Sequence, residues 1–402
     1  MIEITDVTVV EVRDSRNKPT LEVTVHAGGA SGTFSVPSGA STGSYEAKEL
    51  RDQDGSMATA IKNITQIIKP ALIGTDASNQ KEVDRIMLEL DGTPDKSRLG
   101  GNALIGVSIA TAKAAARAKG VQTFEHLRSI ETMEASRRVP YLYMNYINGG
   151  KHASSPISFQ EHLIVPDTEN VREAMEMAEK ISAALAEEIT ADYGADAAQS
   201  FGDEGGYVIQ ESAYRKPFEL IARAVTKAGF EGRVKIAIDV AASSFYQDGI
   251  YTVGGEQKTR DQLMEMYRGL IADFPILSIE DPFDEIAFDD FAALQSSTDV
   301  RLVGDDLTVT NVSRLSQAIE KKCIRALIVK PNQIGTLSET IATMKLAREN
   351  NIDCIVSHRS GETMDDFVAD LAFAFGAFGL KAGALRKPER RTKYERLATI
   401  AA

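Results

Sequence analysis

The chain has 402 residues, and 45 Lys and Arg stand against 58 Asp and Glu, which gives a formal net charge of −13. Hydrophobic residues make up 43% of the sequence and charged residues 26%, a balance typical of a globular protein with a buried core. Such acidity disfavours adsorption to nucleic-acid phosphates and to anionic membranes, because both need a basic surface. We therefore expect neither a nucleic-acid nor a membrane partner, and an anionic ligand would need a local cluster of Lys and Arg.

The chain shows no sign of export or membrane insertion. No basic segment precedes an apolar one at its beginning, so we expect no secretory signal. The longest apolar stretch, residues 367–380, contains Asp370 and is too short to span a bilayer. Cys323 and Cys354 lie in separate apolar segments without metal or redox spacing, so we interpret them as buried, reduced thiols. These features predict a cytoplasmic protein.

Residues 1–130 predict a small α+β domain. Residues 4–12 and 21–27 have the β-branched or alternating composition of strands. Helical periods follow at 58–73, 80–90 and 103–119, the last closed by Gly120. Strands followed by helices are typical of an α+β layer arrangement. We interpret the charged residues 131–138 as a linker.

From residue 139 onward, short apolar strands alternate with helical stretches, and six strands run into Asp239, Glu280, Asp305, Lys330, His358 and Lys381. The steps between these residues are 41, 25, 25, 28 and 23, and a step near 25 accommodates a strand, a helix and two loops. Residues 139–402 also match the ~250 residues of a (β/α)₈ barrel. We therefore predict an α/β protein in which the small domain, 1–130, precedes a TIM-like barrel, 139–402. The alternative, a doubly wound open sheet, lacks an early G-x-G-x-x-G motif.

Three of the six strand ends are acidic: Asp239, Glu280 and Asp305. In a barrel the carboxyl ends of the strands share one face, where functional groups converge. Three converging carboxylates repel one another unless a cation lies among them, and oxygen ligands without thiolates favour Mg²⁺. Each acid taken alone is equally well explained as a helix N-cap or a rim ion pair. The three together, followed by basic strand ends, predict a metal site beside an anion site.

The next strand ends are basic. Arg359 and Ser360 follow His358 and offer a guanidinium fork and a hydroxyl suited to a phosphate. Lys330 lies near a predicted metal and a second lysine, Lys381, so we expect a lowered pKa that would let it act as a base. The alternative for Lys330 is an ordinary lysine paired with one of the acids.

Glycine-rich and polar segments elsewhere predict loops at a ligand. Residues 38–43 are all small and could fold over a bound molecule. Residues 148–152 lead to Gln160 and Glu161, and residues 201–206 place two carboxylates between glycines. Glycines on both sides of the acids indicate a close approach of the backbone to another group.

Together these segments resemble the enolase family. The matching segments run in family order along nearly the whole chain: residues 38–43, 147–152, 160–161, 202–206, 278–283, 303–311, 330–336 and 357–363. The resemblance implies a lyase that reversibly dehydrates 2-phosphoglycerate to phosphoenolpyruvate in glycolysis, with two Mg²⁺ ions, in a cytoplasmic homodimer or higher homo-oligomer.

The resemblance also implies roles by position. Asp239, Glu280 and Asp305 would hold the first ion, and Ser41 would contribute to the second. Lys330 would take the C2 proton, and Glu204, assisted by Glu161, would protonate the departing C3 hydroxyl. The remaining pocket residues would bind the substrate and complete the catalytic set: His152, Gln160, His358, Arg359, Ser360 and Lys381.

Two alternatives remain beside this one. The first is a related dehydratase acting on a non-phosphorylated acid, and the second is a non-catalytic interaction protein with the same fold. Lys235 is not part of a Lys-x-Lys pair of the kind such relatives carry, and the phosphate-binding segment 358–360 is intact. The segment 14–20 lacks the glycine that usually follows Arg16, and the end of the chain is short for the family; both features bear on subunit contacts.

Overall fold

The N-terminal part of the chain is an antiparallel sheet covered by helices. A computed structural model describes residues 1–39, 43–133 and 139–402. The sheet has the order β1-β2-β3, and its elements and the helices after it are β1 (Ile4–Arg13), β2 (Pro19–Ala27), β3 (Ala30–Ser35), α1 (Ala58–Asn63), α2 (Lys69–Leu72), α3 (Gln80–Asp91), α4 (Gly101–Lys119) and α5 (Thr123–Ile130). The predicted strands and helices are all present, although a π-helical turn, Ile64–Ile68, lies between α1 and α2.

Helix α4 is the centre of this part of the fold. Its Ala-rich sequence leaves small side chains on nearly every face, and most of its residues are buried. It packs on β2 and β3, and it ends at Gly120, whose φ of +68° is the left-handed conformation of a glycine C-cap.

The second part is a closed eight-stranded barrel. Around the barrel the order is β4-β5-β6-β10-β11-β12-β13-β14, and β14 pairs with β4. In chain order the elements are β4 (Tyr141–Asn148), β5 (Glu161–Pro166), α6 (Val171–Tyr193), α7 (Lys216–Lys227), β6 (Val234–Asp239), β7 (Tyr246–Gln247), β8 (Ile250–Val253), β9 (Glu256–Lys258), α8 (Arg260–Asp273), β10 (Ile276–Glu280), α9 (Phe288–Ser296), β11 (Arg301–Gly304), α10 (Val312–Lys321), β12 (Ala326–Val329), α11 (Pro331–Ile334), α12 (Leu337–Glu349), β13 (Asp353–Ser357), α13 (Phe367–Ala374), β14 (Gly379–Lys381) and α14 (Pro388–Ile400).

The predicted barrel is therefore confirmed, and the open sheet is excluded, but the repeat is not a uniform βα repeat. Strand β5 runs antiparallel to both β4 and β6, while the other neighbouring pairs are parallel. No α-helix lies between β4 and β5, and without a crossover the chain returns antiparallel. Consequently the first residue of β5, Glu161, lies at the same mouth as the last residues of the parallel strands.

The long step of 41 residues between Asp239 and Glu280 also has a structural reason. Strands β7, β8 and β9 form a separate three-stranded antiparallel sheet between β6 and α8. This insertion adds residues to one unit without changing the barrel.

Apolar side chains fill the barrel below its mouth. The interior cluster is Tyr143, Leu163, Val165, Ala237, Val303, Ala326, Ile328 and Ile355. Both cysteines are buried and free, as predicted. A search of the described residues finds no helix with the length and apolarity needed to cross a membrane.

Candidate active site

The polar side chains predicted from the sequence converge at the barrel mouth. Asp239, Glu280 and Lys381 are the last residues of their strands, while Asp305, Lys330 and His358 directly follow theirs. One cleft with a free space of about 40 Å³ is lined by most of the predicted site residues: His152, Gln160, Glu161, Glu204, Asp239, Asp305, Lys330, His358, Arg359, Ser360 and Lys381. Glu280 is joined to the cleft through Lys381.

Lys381 lies among three carboxylates. Its Nζ is 2.9 Å from both oxygens of Glu280, 3.2 Å from Asp239 Oδ2 and 3.3 Å from Glu161 Oε1. Burial acts to lower the pKa of the ammonium, but Asp239 and Glu161 outweigh it and hold the pKa well above its usual value. Lys381 is therefore a fixed positive charge at the centre of the mouth.

Lys330 is paired with Asp305. Its Nζ lies 2.5 Å from Asp305 Oδ2, and Gln333 Nε2 donates to Asp305 Oδ1 at 2.9 Å. Burial acts to lower the pKa of Lys330, but the charge of Asp305 raises it above its usual value. The lowered pKa expected from the sequence is wrong for this arrangement, because a carboxylate contacts the ammonium.

Two of these strand ends carry a second, adjacent acid that was not among the predicted site residues. Asp281 follows Glu280, and its two oxygens accept the backbone N–H groups of Asp305 and Asp306 at 2.9 Å and 2.7 Å. Asp281, Asp305 and Asp306 each place an oxygen within 4.8 Å of the others. The doubled acids after two strands were the signal for this cluster.

The acidic cluster fits a cation. Burial and the charge of Asp305 raise the pKa of Asp306 to about 7, while burial and the charge of Asp306 raise the pKa of Asp281. Burial and the charge of Asp239 likewise raise the pKa of Glu280. Burial and mutual repulsion thus disfavour the ionised form of these carboxyl groups, and a divalent metal ion, which hard oxygen donors suit, would favour it.

A second group of polar side chains lies across the cleft. His152 Nδ1 is 3.6 Å from Glu161 Oε1 and 3.5 Å from Glu204 Oε1, and all three residues are buried. Asn145 Nδ2 donates to Glu204 Oε2 at 3.0 Å, and His358 Nε2 lies 3.3 Å from Glu204 Oε1.

The two carboxyl groups of this group differ in pKa. Burial, followed by the charge of Glu204, raises the pKa of Glu161 well above its usual value. Burial also acts to raise the pKa of Glu204, but His358 and His152 outweigh it and hold the pKa well below its usual value. The surroundings therefore favour the protonated form of Glu161 and the ionised form of Glu204.

The glycines around Glu204 explain how its loop enters the cleft. Gly205 has a φ of +85°, which disfavours any other residue. A Cβ at Gly206 would lie 2.6 Å from Asn148 Oδ1, which accepts the Gly206 N–H, so a side chain there would displace this buried asparagine. The close backbone approach predicted from these glycines is confirmed.

Arg359 is engaged by a residue that the sequence did not point to. Its Nη1 and Nη2 donate to the two oxygens of Glu46 at 2.9 Å and 3.2 Å, and Nη1 also donates to Asn332 Oδ1 at 3.0 Å. The side chains of Arg359 and Glu46 are 3% and 6% exposed. A buried carboxylate thus occupies the fork that was predicted to hold a phosphate.

Ser38 and Gly43, described residues at the two ends of the small-residue segment 38–43, lie beside residues of the same cleft. The backbones of Ser38 and Gly361 exchange two hydrogen bonds, at 2.8 Å and 2.9 Å. A Cβ on Gly43 would lie 3.0 Å from Asp306 Oδ1, so this glycine lies over the acidic cluster. Ser41, the predicted ligand of a second ion, lies outside the described residues.

The closed barrel and its mouth define a barrel enzyme in which a lysine-bearing acidic cluster faces a pair of carboxyl groups across one cleft. The family model described as "Enolase, N-terminal domain" matches residues 4–127, and the model "Enolase, C-terminal TIM barrel domain" matches residues 136–402.

Proteins named enolase are similar over their whole length. The chain is 44% identical to that of Methanocaldococcus jannaschii, with 99% of this chain and 95% of the relative aligned. It is 43% identical to that of Methanopyrus kandleri, with 100% and 96% aligned, and 42% identical to that of Methanothrix thermoacetophila, with 99% and 96% aligned. The chain therefore belongs to the enolase family, a family of metal-dependent lyases. The resemblance drawn from the motifs is confirmed.

Proposed function

We propose that this chain catalyses the reversible dehydration of 2-phospho-D-glycerate to phosphoenolpyruvate in glycolysis and gluconeogenesis, by loss of the C2 proton and then of the C3 hydroxyl. The observation that carries the proposal is the division of the cleft. Lys330 lies with Asp305 on one side, Glu204 and His152 lie with Glu161 on the other, and Lys381 lies between them, in contact with both Glu280 and Glu161. A substrate between them would meet a base on one face and an acid on the opposite face.

Lys330 is the proposed base. The Lys330 ammonium is paired with Asp305. Lys330 can accept a proton only when this ion pair is broken and its amine has become neutral. Burial and the positive charges of Arg359 and Lys381 already act to lower its pKa, and only the carboxylates act against them. Lys330 is thus poised to become a base once Asp305 is occupied by another cation.

Asp239, Glu280 and Asp305 are the residues that we propose hold a first Mg²⁺ ion, with Ser41 contributing to a second. When bound, the two ions supply positive charge that neutralises the substrate carboxylate as negative charge develops on it. Lys381, whose Nζ lies 2.9 Å from Glu280, adds a further positive charge beside the carboxylate of the substrate. Preorganised charge of this kind is usually the largest contribution to catalysis.

Glu204 and Glu161 are the proposed acid pair for the leaving hydroxyl. The protonated form is favoured at Glu161 and the ionised form at Glu204, so we propose that a proton passes from Glu161 toward Glu204 or the hydroxyl as the C3–O bond breaks. His152 lies within 3.6 Å of both carboxyl groups and His358 contacts Glu204. Gln160, which donates to Asp239 Oδ2 at 3.1 Å, would border the substrate between the two sides.

Arg359 and Ser360 are the proposed phosphate-binding residues. Because Glu46 already binds the Arg359 guanidinium, the phosphate must either displace this carboxylate or share the guanidinium with it. The proposed base, Lys330, and the two proposed substrate-binding cations, Lys381 and Arg359, all have internal carboxylate partners. We therefore propose that metal and substrate bind by exchanging partners with these ion pairs.

We also propose a cytoplasmic homodimer or higher homo-oligomer in which residues 1–130 and 139–402 act as two domains. The support is the family membership, together with two buried free cysteines suited to a reducing compartment. Sedimentation of the purified chain at micromolar concentration tests the oligomer, and a single monomeric species would contradict it.

Turnover tests the activity. With excess Mg²⁺ the chain should convert 2-phosphoglycerate to a product with the ultraviolet absorbance of an enolpyruvate, and EDTA should abolish the signal. No turnover with Mg²⁺ present, or equal turnover with a non-phosphorylated 2-hydroxy acid, would contradict the proposal.

A further inference from the structure

Arg390, near the start of α14, is a buried cation whose two Nη atoms donate to uncharged acceptors, while its Nε lies 3.8 Å from Glu389 Oε1. Arg390 is 0% exposed. Its Nη1 lies 2.7 Å from His358 Nδ1 and 2.5 Å from the carbonyl oxygen of Arg359, and its Nη2 lies 2.7 Å from the carbonyl oxygen of Ser360. Nη2 also lies 3.4 Å from the carbonyl oxygen of Asp203. One side chain therefore joins the loop before Glu204 to the loop after β13.

The contact with His358 fixes which ring nitrogen carries the proton. An arginine side chain only donates hydrogen bonds, so His358 Nδ1 must accept and cannot carry a hydrogen. Burial lowers the pKa of His358 to about 4, so the ring is neutral near pH 7. The single proton of a neutral ring then lies on Nε2, the nitrogen 3.3 Å from Glu204 Oε1. His358 is thereby oriented as a donor toward the carboxylate.

Three charged groups act on the pKa of His358 in addition to burial, which is the largest effect. They are Glu204 on one loop, Arg390 on α14 and Glu362 three residues beyond Arg359. Glu204 and Glu362 favour a protonated ring, while Arg390 opposes it. Glu362 is itself paired with Lys393 at 2.8 Å, one turn after Arg390 on the same helix. The first turns of α14 thus hold the loop 358–362 from two positions.

We propose that Arg390 is a positioning residue for the acid half of the site: it holds His358 in the Nε2–H tautomer and keeps the Glu204 loop and the loop 358–360 at a fixed separation. It acts through His358 and Glu204 and does not itself contact the cleft. The kinetic part of this inference rests on the proposed function, whereas the tautomer part does not.

The ring nitrogens of His358 give the direct test. The chain has 5 histidines, so ¹⁵N-histidine labelling gives few signals, and a His358→Gln variant assigns the relevant pair. In the unmodified protein at pH 7, Nδ1 should show the shift of an unprotonated nitrogen and Nε2 that of a protonated one. In Arg390→Met the two shifts should move toward each other as tautomers exchange. Arg391→Met is the matched control, because Arg391 lies next in the helix and is paired at the surface with Glu179.

Kinetics separates positioning from simple stabilisation. In Arg390→Met and Arg390→Lys, Mg²⁺-dependent dehydration should fall at least tenfold, while exchange of the C2 proton with solvent falls much less, because Lys330 lies on the other side. Arg391→Met should leave both unchanged.

A proton on Nδ1 of His358 in the unmodified protein would overturn the inference even if the variants do not fold. Unchanged ring shifts in Arg390→Met, or dehydration and exchange falling together, would overturn it as well. Absence of turnover in the unmodified protein would instead refute the proposed function and leave the tautomer measurement valid.

Discussion

Glu46 and Arg359 are 313 residues apart in the chain and form a buried, two-pronged ion pair, with N–O distances of 2.9 Å and 3.2 Å. Glu46 follows the small-residue segment 38–43, and Arg359 follows the barrel strand β13. The pair therefore fastens the N-terminal part of the chain to the barrel mouth. It also holds in place the guanidinium proposed to bind the phosphate.

Removing one partner of this pair should destabilise the protein. Glu46→Gln removes the negative charge from this buried pair, and breaking a buried pair by changing one partner costs ~3–5 kcal/mol. Urea unfolding of the unliganded protein should show a loss of this order. Glu82→Gln, which breaks an exposed pair with Arg85, is the control and should cost less than ~1 kcal/mol. Equal stability of the two variants would show that the buried pair does not fasten the two parts.

Metal and phosphorylated ligand should strengthen each other's binding. Lys330 and Lys381 are both held by carboxylates, so a cation bound to these carboxylates frees the ammonium groups for an anion. We expect calorimetry to show 2-phosphoglycolate, a substrate analogue without a C3 hydroxyl, binding at least about tenfold more tightly with Mg²⁺ than with EDTA. Equal affinity in the two conditions would contradict the partner exchange.

Mg²⁺ alone should raise the melting temperature by binding the proposed ligands Asp239, Glu280 and Asp305. A ligand that binds only the folded state stabilises by ~2.7 kcal/mol at a concentration of 100 times its Kd. Glu280→Gln should abolish the Mg²⁺-dependent shift, whereas Glu265→Gln, an exposed residue on α8, should retain it. A full shift in Glu280→Gln would remove Glu280 from the proposed ligands.

Acid should destabilise the protein through its buried histidines. Burial lowers the pKa of His126 and of His162 to about 4, against 6.5 for an exposed histidine. Between these two values the unfolded chain binds protons that the folded chain excludes, so stability is complete above pH 6.5 and is lost as the pH falls toward 4. Each histidine should contribute on the order of 3 kcal/mol.

His126→Gln tests this pH dependence. The free energy of unfolding should fall less steeply between pH 6.5 and 4 in this variant than in the unmodified protein. His26→Gln, in the N-terminal sheet, is the matched control. If the free energy of unfolding fell equally steeply with pH in His126→Gln and in the unmodified protein, the lowered pKa of His126 would be contradicted.

The strand ends were predictable because their signal is local. Residues 326–329 were predicted as a strand running into Lys330, and β12 is Ala326–Val329. A short apolar run that ends in a charged residue and repeats every 25 residues or so indicates a barrel unit without knowledge of the tertiary fold. For the same reason Asp239, Glu280, Asp305 and Lys381 could be placed at one mouth.

What could not be predicted depends on long-range pairing. The sequence placed Gln160 and Glu161 among loop segments, and only the antiparallel direction of β5 explains why the start of a strand lies at the mouth. The partners of Arg359 and His358, Glu46 and Arg390, lie 313 and 32 residues away, and no local pattern marks them. The raised pKa of Lys330 likewise depends on a contact that only the fold establishes.

Exchange of the C2 proton of 2-phosphoglycerate with D₂O, followed by NMR with Mg²⁺ present, tests the central claim most directly. We expect rapid exchange in the unmodified protein and a loss of ~10²–10⁴-fold in Lys330→Ala, which should still fold and still bind Mg²⁺. Lys321→Ala, which alters an exposed lysine on α10, is the control and should exchange at the unmodified rate. Exchange at the unmodified rate in a folded, Mg²⁺-binding Lys330→Ala would contradict the assignment of the base.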